Sequence, residues 1–306
     1  DGIKLQGVIP ATLLAFDTDF EIDEKSSRKH IKECALTEGI SAITVNGHSS
    51  EVHACSFEEQ KRILNFSVEE ANGITHVING VYADGSIEAA KIAKMSSQNG
   101  ASALLCFPPQ SMSMGGHLRP EMALEHFKRI ADVTDLPLIC FNYPSAGNLT
   151  YPFETLLKLF ETVPTIKAIK DWSNDPMLHE KHIKTFQNLK NPVNVLTTHS
   201  SWLMSSLVMG AKGLLSGAGS VIANLQVSLF KAVKNKDLNA AQEINDKIFP
   251  LAQAFYTPPF LDMHNRMKEV LVLMGKMERA IVRPPLMKLN VTELNNLKEA
   301  LKQSGI

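Results

Sequence analysis

Short runs of apolar and β-branched residues alternate with longer amphipathic segments along most of the chain. Such runs are typical of buried strands. Eight of them occur, at 6–12, 41–47, 75–82, 101–108, 136–144, 165–171, 192–198 and 211–217. Helical apolar spacing occupies most of the intervals, for example 23–39, 56–73, 86–100 and 119–134. Strand and helix in alternation predict βαβ units, and eight units indicate a closed (β/α)8 barrel, the TIM-barrel class of α/β fold.

The last part of the chain has a different pattern. From residue 224 onward the apolar spacing is helical, and no strand-like run separates the helices. Pro258 and Pro259 interrupt this pattern and are expected to lie between two helices. Because such helices must bury an apolar face, we expect them to pack on the barrel or on a second subunit. The sequence therefore predicts a barrel over 1–223 and a C-terminal helical extension over 224–306.

Composition excludes several classes of protein. Of the 306 residues, 44% are hydrophobic and 21% are charged, which is enough to form a large core. The net charge is -1 and no dense block of Lys and Arg occurs, so a nucleic-acid partner is not expected. No apolar run approaches the roughly 20 residues of a membrane span, and the polar start lacks a signal-peptide profile. We expect a cytoplasmic protein that binds no membrane.

A lysine stands at the end of the sixth apolar run, which reads TIKAIKD. Catalytic groups of (β/α)8 barrels lie at the carboxyl ends of the strands, where Lys170 is predicted. Apolar neighbours disfavour an ammonium ion and lower the pKa of a buried lysine. An uncharged amine can add to a carbonyl and form an imine, which draws electrons during aldol cleavage or dehydration. The alternative is a lysine whose ammonium group reaches solvent from the strand end.

Five segments of the chain resemble the dihydrodipicolinate synthase and N-acetylneuraminate lyase family in their order and spacing. They are 41–64, 138–147, 165–175, 195–217 and 266–306. The resemblance implies a (β/α)8 barrel with a helical extension, assembled as a homo-oligomer, a dimer or a tetramer. It also implies a class I aldolase, lyase or dehydratase that acts on a small-molecule 2-oxo acid without a cofactor. The nucleophilic lysine of the family falls on Lys170.

The turn after the second run matches a further motif of this family, Gly-Thr-Thr-Gly-Glu. Here the turn consists of Gly47, His48, Ser49, Ser50 and Glu51. A tight turn that presents N–H groups and small hydroxyls can hold a carboxylate. We therefore predict that Gly47, Ser49 and Ser50 bind the carboxylate of the 2-oxo acid. The alternative is a serine-rich surface turn.

The proton relay of the family is altered in two places. His48 stands where family members commonly have a threonine, and imidazole can itself transfer protons near neutral pH. Alternatively, His48 only hydrogen-bonds to a loop carbonyl. The Tyr-Asn-x-Pro motif begins here with Phe141, which has no proton to donate and is predicted to contact substrate. Because strand residues two apart share a face, Tyr143 is a candidate catalyst, or else a pocket wall or interface aromatic.

Other departures from the family concern the substrate. Ala146 lies near the position where dihydrodipicolinate synthase has an arginine for its second substrate, so this activity is not expected. His199 follows strand seven, where sialic acid lyases place acidic residues for sugar hydroxyls, and is predicted to contact a smaller tail. The resemblance also implies that Leu215 lies beside the bound 2-oxo acid. The expected substrate is a 2-keto-3-deoxy sugar acid or another pyruvate adduct.

Two other functions stay open on the sequence alone. A barrel that retained the 2-oxo acid pocket but lost proton transfer would be a non-catalytic, regulatory binding protein. The segment 214–220, LLSGAGS, can form a phosphate site of the kind that barrels build from their last loops. The histidines show no HxH or HExxH spacing, so no metal site is predicted.

Overall fold

Eight parallel strands form the centre of the protein, whose computed structural model describes residues 2–306. The strands are β1 Gly7–Pro10, β2 Ala42–Val45, β3 His76–Val81, β4 Ala103–Cys106, β5 Leu138–Asn142, β6 Ile166–Asp171, β7 Asn194–Thr197 and β8 Gly213–Ser216. They pair in the order β1-β8-β7-β6-β5-β4-β3-β2. Parallel bridges from Val8 to Ile40 and from Ala11 to Thr44 bring β1 against β2 and close the ring. The predicted (β/α)8 barrel is confirmed.

Eight helices alternate with these strands. They are α1 Glu24–Ala35, α2 Phe57–Ala71, α3 Ser86–Gln98, α4 Pro120–Ala131, α5 Phe153–Thr162, α6 Pro176–Phe186, α7 Leu203–Met209 and α8 Gly219–Lys234. Side-chain caps begin several of them: Asp23 accepts from the backbone N–H of Ser26, and Ser56 and Glu59 form a capping box. Every strand lies inside its predicted run, and the four helices predicted between runs are correct to within a few residues.

Three further helices form the C-terminal extension: α9 Leu238–Phe255, α10 Met263–Leu273 and α11 Val291–Ser304. Pro258 and Pro259 lie between α9 and α10, as predicted. The apolar faces of these helices share one hydrophobic cluster with β1, β8 and α8. The predicted boundary between residues 223 and 224 lies within α8, just after Ile222, whose backbone angles are not helical. The division into a barrel and an extension at this point stays a prediction. Of the helices in residues 2–306, none combines the length and apolar content that crossing a bilayer requires.

Side chains fill the inside of the barrel, so an open site can form only at its ends. Ile9, Ile78 and Leu105 belong to this inner cluster, while a second cluster lies between the strands and the surrounding helices. On β6, Ala168 belongs to the inner cluster and Ile169 to the outer one. Since side chains alternate along a strand, Lys170 follows Ala168 on the inner side, at the carboxyl end of β6.

Candidate active site

Lys170 is buried without a compensating charge. Its side chain is 7% exposed, and its Nζ lies 4.2 Å from the centre of the Phe141 ring. Burial alone lowers the pKa of Lys170 from 10.5 to about 7. At that pKa about half of the molecules carry the free amine at pH 7, compared with roughly one in 3,000 for an ordinary lysine. The side chain therefore does not reach bulk solvent.

A cavity of about 100 Å³ opens over this amine. Since a water molecule needs roughly 10–15 Å³, the cavity has room for a small organic acid. Six of the predicted site residues line it: Gly47, His48, Ser49, Phe141, Lys170 and His199. Of the Asp, Glu, Lys and Arg side chains in residues 2–306, only Lys170 is among the lining.

The turn after β2 offers free backbone donors to the cavity. The N–H groups of Ser50 and Glu51 donate within the turn, whereas those of His48 and Ser49 donate to no other group within residues 2–306. The Ser49 hydroxyl donates to the carbonyl of Thr12 at 2.7 Å, and the Ser50 hydroxyl donates to the carbonyl of Gly47 at 3.1 Å. Ser50 does not line the cavity. The turn therefore has two backbone N–H groups without a partner within residues 2–306, whereas both serine hydroxyls already donate to carbonyls.

The extension holds this turn in place through a buried carboxylate. Glu51 is in the left-handed region at φ 57°, and its side chain accepts from Lys268 Nζ at 2.6 Å and from the backbone N–H of Arg283 at 2.9 Å. Lys268 is fully buried and also donates to the carbonyl of Ile281. Sequence reasoning assigned no role to Glu51 or Lys268. The contact makes α10 a support for the turn.

His48 and Tyr143 form a hydrogen-bonded pair beside the amine. The Nε2 of His48 shares a hydrogen bond with the hydroxyl of Tyr143. His48 lines the cavity, whereas Tyr143 lies behind it and packs against Trp172 at 5.4 Å between ring centres. Burial, helped by the charge of Lys170, lowers the pKa of His48 to about 3, and burial raises the pKa of Tyr143. Both groups are therefore neutral at pH 7, and the pair can pass a proton.

His199 lines the cavity but offers no free polar atom, and Leu215 does not line the cavity. The His199 Nε2 accepts from the N–H of Asn174 at 2.9 Å, its Nδ1 lies 3.2 Å from Thr197 Oγ1, and its ring stacks on Trp202. Burial lowers the pKa of His199 to about 3. Leu215 is fully buried in the inner cluster and is not among the cavity lining. His199 thus presents its ring to the cavity, and Leu215 packs inside the barrel.

Behind β6, an acidic side chain fixes the strand end that carries the amine. Asp171 is fully buried, and its Oδ2 accepts from the Nδ1 atoms of His179 at 2.7 Å and His182 at 2.9 Å. Sequence reasoning missed this cluster. The sequence does contain a feature that could have indicated it: two histidines three residues apart, on a helix that follows a strand ending in Asp.

Close packing explains the glycines of LLSGAGS. A Cβ on Gly217 would lie 2.6 Å from His264 Nε2, and a Cβ on Gly219 would lie 2.8 Å from the backbone of Pro10. The segment therefore packs against α10 and β1 without any need for a phosphate. Within residues 2–306, no group of three or more His, Cys, Asp or Glu side chains is arranged to hold a metal ion.

A (β/α)8 barrel with a buried amine at the end of β6, beside a turn that lines the same cavity, is typical of one class of protein. This class is the class I aldolases and lyases, which work through a lysine imine. The chain belongs to the Dihydrodipicolinate synthetase family, whose model matches residues 4–304. This membership confirms the resemblance and the enzyme class predicted from the sequence.

Sequence relatives cover the whole chain at low identity. The 4-hydroxy-tetrahydrodipicolinate synthase of Methanopyrus kandleri is 28% identical over 313 residues, which cover 100% of this chain and 98% of the relative. The enzyme of the same name from Maridesulfovibrio salexigens is 27% identical over 307 residues, with 99% and 100% covered.

Solved structures give the same fold. Dihydrodipicolinate synthase from Aquifex aeolicus matches with a TM-score of 0.87 at 25% identity, and 98% of each chain is covered. YagE, a prophage protein of the dihydrodipicolinic acid synthase family from E. coli K12 in complex with pyruvate, matches with a TM-score of 0.89 at 22% identity. That match covers 98% of this chain and 99% of YagE.

Proposed function

We propose that this chain is a Schiff-base lyase, an aldolase or a dehydratase, whose substrate is a 2-oxo acid such as a 2-keto-3-deoxy sugar acid or another pyruvate adduct. One observation carries the proposal: a buried amine with a pKa of about 7 lies in a cavity that is also lined by His48 and Ser49, whose backbone N–H groups donate to no group within residues 2–306. The amine supplies the nucleophile, and the N–H groups suit a carboxylate.

The proposed chemistry uses only groups of the chain. Lys170 Nζ adds to the C2 carbonyl, the carbonyl oxygen leaves as water, and a protonated imine remains. The carboxylate accepts from the N–H groups of His48 and Ser49. When the C3–C4 bond breaks, its electron pair forms the C2–C3 double bond of an enamine. The C4 hydroxyl loses its proton, C4 leaves as an aldehyde, and protonation of the enamine at C3 gives the imine of pyruvate. In dehydration, loss of a C3 proton gives an enamine that retains C4, and this enamine expels the C4 hydroxyl as water to leave an unsaturated imine. Water then hydrolyses the imine and restores the lysine.

We assign proton transfer to His48 and Tyr143. His48 faces the cavity, and its hydrogen bond to the Tyr143 hydroxyl supports this role, since Phe141 has no proton to give. The pair takes the place of the tyrosine and threonine implied by the family resemblance. Phe141 instead places its ring over the amine and contributes to its burial.

The substrate is proposed to differ from that of 4-hydroxy-tetrahydrodipicolinate synthase, the name of the relatives given above. Ala146 stands near the arginine position of that enzyme, and within residues 2–306 no arginine lines the cavity. A second anionic substrate would therefore lack a charged partner. Assembly as a homodimer or homotetramer, implied by the family, is a further part of the proposal and is tested by light scattering.

Reduction with borohydride tests the nucleophile. With pyruvate present, we expect the peptide that contains Lys170 to gain the mass of one reduced pyruvate adduct, and Lys170→Ala to gain none. Lys167, an exposed residue of the same strand, provides the control, and Lys167→Ala is expected to trap pyruvate like the unmodified protein. A protein that traps no 2-oxo acid would refute the proposal. Trapping without turnover of any pyruvate adduct would instead favour the non-catalytic binding protein.

A further inference from the structure

The C-terminal extension supplies part of the cavity wall. Tyr256, Phe260, Met263 and His264 line the cavity together with the barrel residues. Phe260 packs edge-on against Trp172 at 6.1 Å between ring centres. The wall is therefore mainly apolar and aromatic. It has a single imidazole whose hydrogen-bonding atoms are not used by the protein.

That imidazole belongs to His264. The side chain is 9% exposed, lines the cavity, and makes no hydrogen bond to any other of residues 2–306. Buried polar groups are normally hydrogen-bonded, so an unpartnered one in a cavity wall indicates a ligand. Burial and the nearby charge of Lys170 lower the pKa of His264 well below its ordinary value. A neutral ring offers one N–H donor and one bare nitrogen acceptor.

The surroundings hold His264 in position. Arg266 donates to the carbonyls of Phe255 at 2.8 Å and Thr257 at 2.6 Å, which fixes the segment that leads to Phe260. Lys268, one turn after His264, donates to Glu51 and fixes α10 against the carboxylate turn. Because Gly217 has no side chain, the imidazole fits against the residue that follows β8. His264 is thus held at a defined place relative to the turn that contains His48 and Ser49.

The charges around the cavity restrict the rest of the substrate. Within residues 2–306 the lining contains no Asp, Glu or Arg, and its one Lys is consumed in the imine. An anionic tail would lose its hydration without gaining a partner. Two polar groups of the lining are already engaged, since His199 bonds within the barrel and Ser200 Oγ lies 2.7 Å from Ser216 Oγ. Asn174, Thr198 and Ser201 also line the cavity and can meet single hydroxyls. The part of the wall beside His264 is apolar, since it consists of Trp172, Phe260 and Met263.

We propose that the substrate is the pyruvate adduct of an uncharged, mainly apolar aldehyde, and that His264 hydrogen-bonds to its C4 hydroxyl. This inference rests on the proposed lyase function and narrows its substrate class. Trp172 and Phe260 receive the apolar tail. His264 acts as a specificity residue, because pyruvate itself has no C4 atom to contact.

Substrate preference gives the first test. We compare the pyruvate adducts of benzaldehyde, glyceraldehyde and glyoxylate, whose tails are apolar, hydroxylated and anionic. The benzaldehyde adduct is expected to have a kcat/KM at least about tenfold above the other two. A preference for either of the other adducts would overturn the inference. Failure to trap pyruvate at all would instead refute the lyase function, so the two failures are distinguishable.

Replacing the imidazole gives the second test. His264→Leu is expected to lower kcat/KM for the benzaldehyde adduct about tenfold, the loss of roughly one hydrogen bond. Half-saturation of pyruvate trapping should stay within about twofold. The benzaldehyde adduct without its C4 hydroxyl should inhibit the variant as strongly as it inhibits the unmodified protein. Such a result would exclude a general disturbance of the cavity. An equal effect on all three measurements would show that His264 has only a structural role.

A gain of function gives the third test. Phe260 is about half exposed, so Phe260→Arg is tolerated and places a guanidinium at the tail. We expect the ratio of kcat/KM for the glyoxylate adduct to kcat/KM for the benzaldehyde adduct to rise at least about fivefold. No rise in this ratio would contradict the placement of the tail beside Phe260.

Discussion

Replacing the buried amine with an apolar side chain of similar length is expected to stabilise the protein. In the unfolded chain the pKa of Lys170 is about 10.4, whereas in the folded protein it is about 7. Between these two pH values the unfolded chain binds one more proton at this site, so stability rises with pH. Below the folded pKa both states are protonated, and the folded protein bears the full cost of a buried ammonium ion.

The expected gain of Lys170→Met follows from this difference. The shift corresponds to about 4 kcal/mol at pH 7 and about 2 kcal/mol at pH 9. The loss of the contact between Nζ and the Phe141 ring subtracts about 1 kcal/mol. The net stabilisation is therefore about 3 kcal/mol at pH 7, with most of it lost by pH 10. Methionine fills a similar volume and keeps the apolar contact.

Urea unfolding at pH 6, 7, 9 and 10 measures this effect. The midpoint for Lys170→Met should exceed that of the unmodified protein at pH 6 and 7, and the two curves should converge toward pH 10. Lys167→Met, at an exposed position of the same strand, controls for changes in surface charge and should show no such pH dependence. A variant that is no more stable at pH 7, or equally stabilised at every pH, would show that the Lys170 ammonium has a partner in the folded state.

Three further predictions concern the site. The rate of pyruvate trapping should rise about tenfold per pH unit below pH 7 and level off above it, because only the neutral Lys170 amine reacts; a rise continuing to pH 10 would contradict the lowered pKa. Tyr143→Phe should retain trapping but lose about 10²- to 10⁴-fold in turnover, since His48 loses its proton partner; unchanged turnover would exclude Tyr143 from proton transfer. Glu51→Gln should lower the free energy of unfolding by about 3–5 kcal/mol, because the buried charge of Lys268 is left unpaired. The double variant Glu51→Gln, Lys268→Met should be more stable than Glu51→Gln alone, because it has no unpaired buried charge. A double variant with a lower urea midpoint than Glu51→Gln would contradict the ion pair between Glu51 and Lys268.

The local pattern of apolar and polar residues was sufficient to predict the barrel and the position of Lys170 at a strand end. Strand runs and helical spacing repeat in a fixed order, and this order determines the fold class. The alternation of Ala168, Ile169 and Lys170 places the amine on the inner side of the sixth strand. These features depend on neighbours in sequence, so a single chain is enough to recognise them.

Contacts between distant segments were not predictable in the same way. Lys268 and Arg266 lie in an amphipathic helix where charged residues are ordinarily exposed, yet both are buried. Their partners, Glu51 and the carbonyls before Phe260, become evident only when α10 packs against the barrel. His264 was missed for the same reason. The prediction that Ser49 offers a hydroxyl also depends on a distant group, since the carbonyl of Thr12 takes that proton.

In the proposed mechanism, imine formation and substrate choice depend on different parts of the chain. The amine and the carboxylate turn come from β6 and the end of β2, and the Asp171 cluster stabilises the strand that carries Lys170. The tail wall comes from the extension, through residues of α10 and the segment before it. Substitutions at Phe260 or His264 can therefore change the accepted aldehyde while the lysine keeps its lowered pKa. Substitutions at Glu51 affect both parts, because this carboxylate joins the turn to α10.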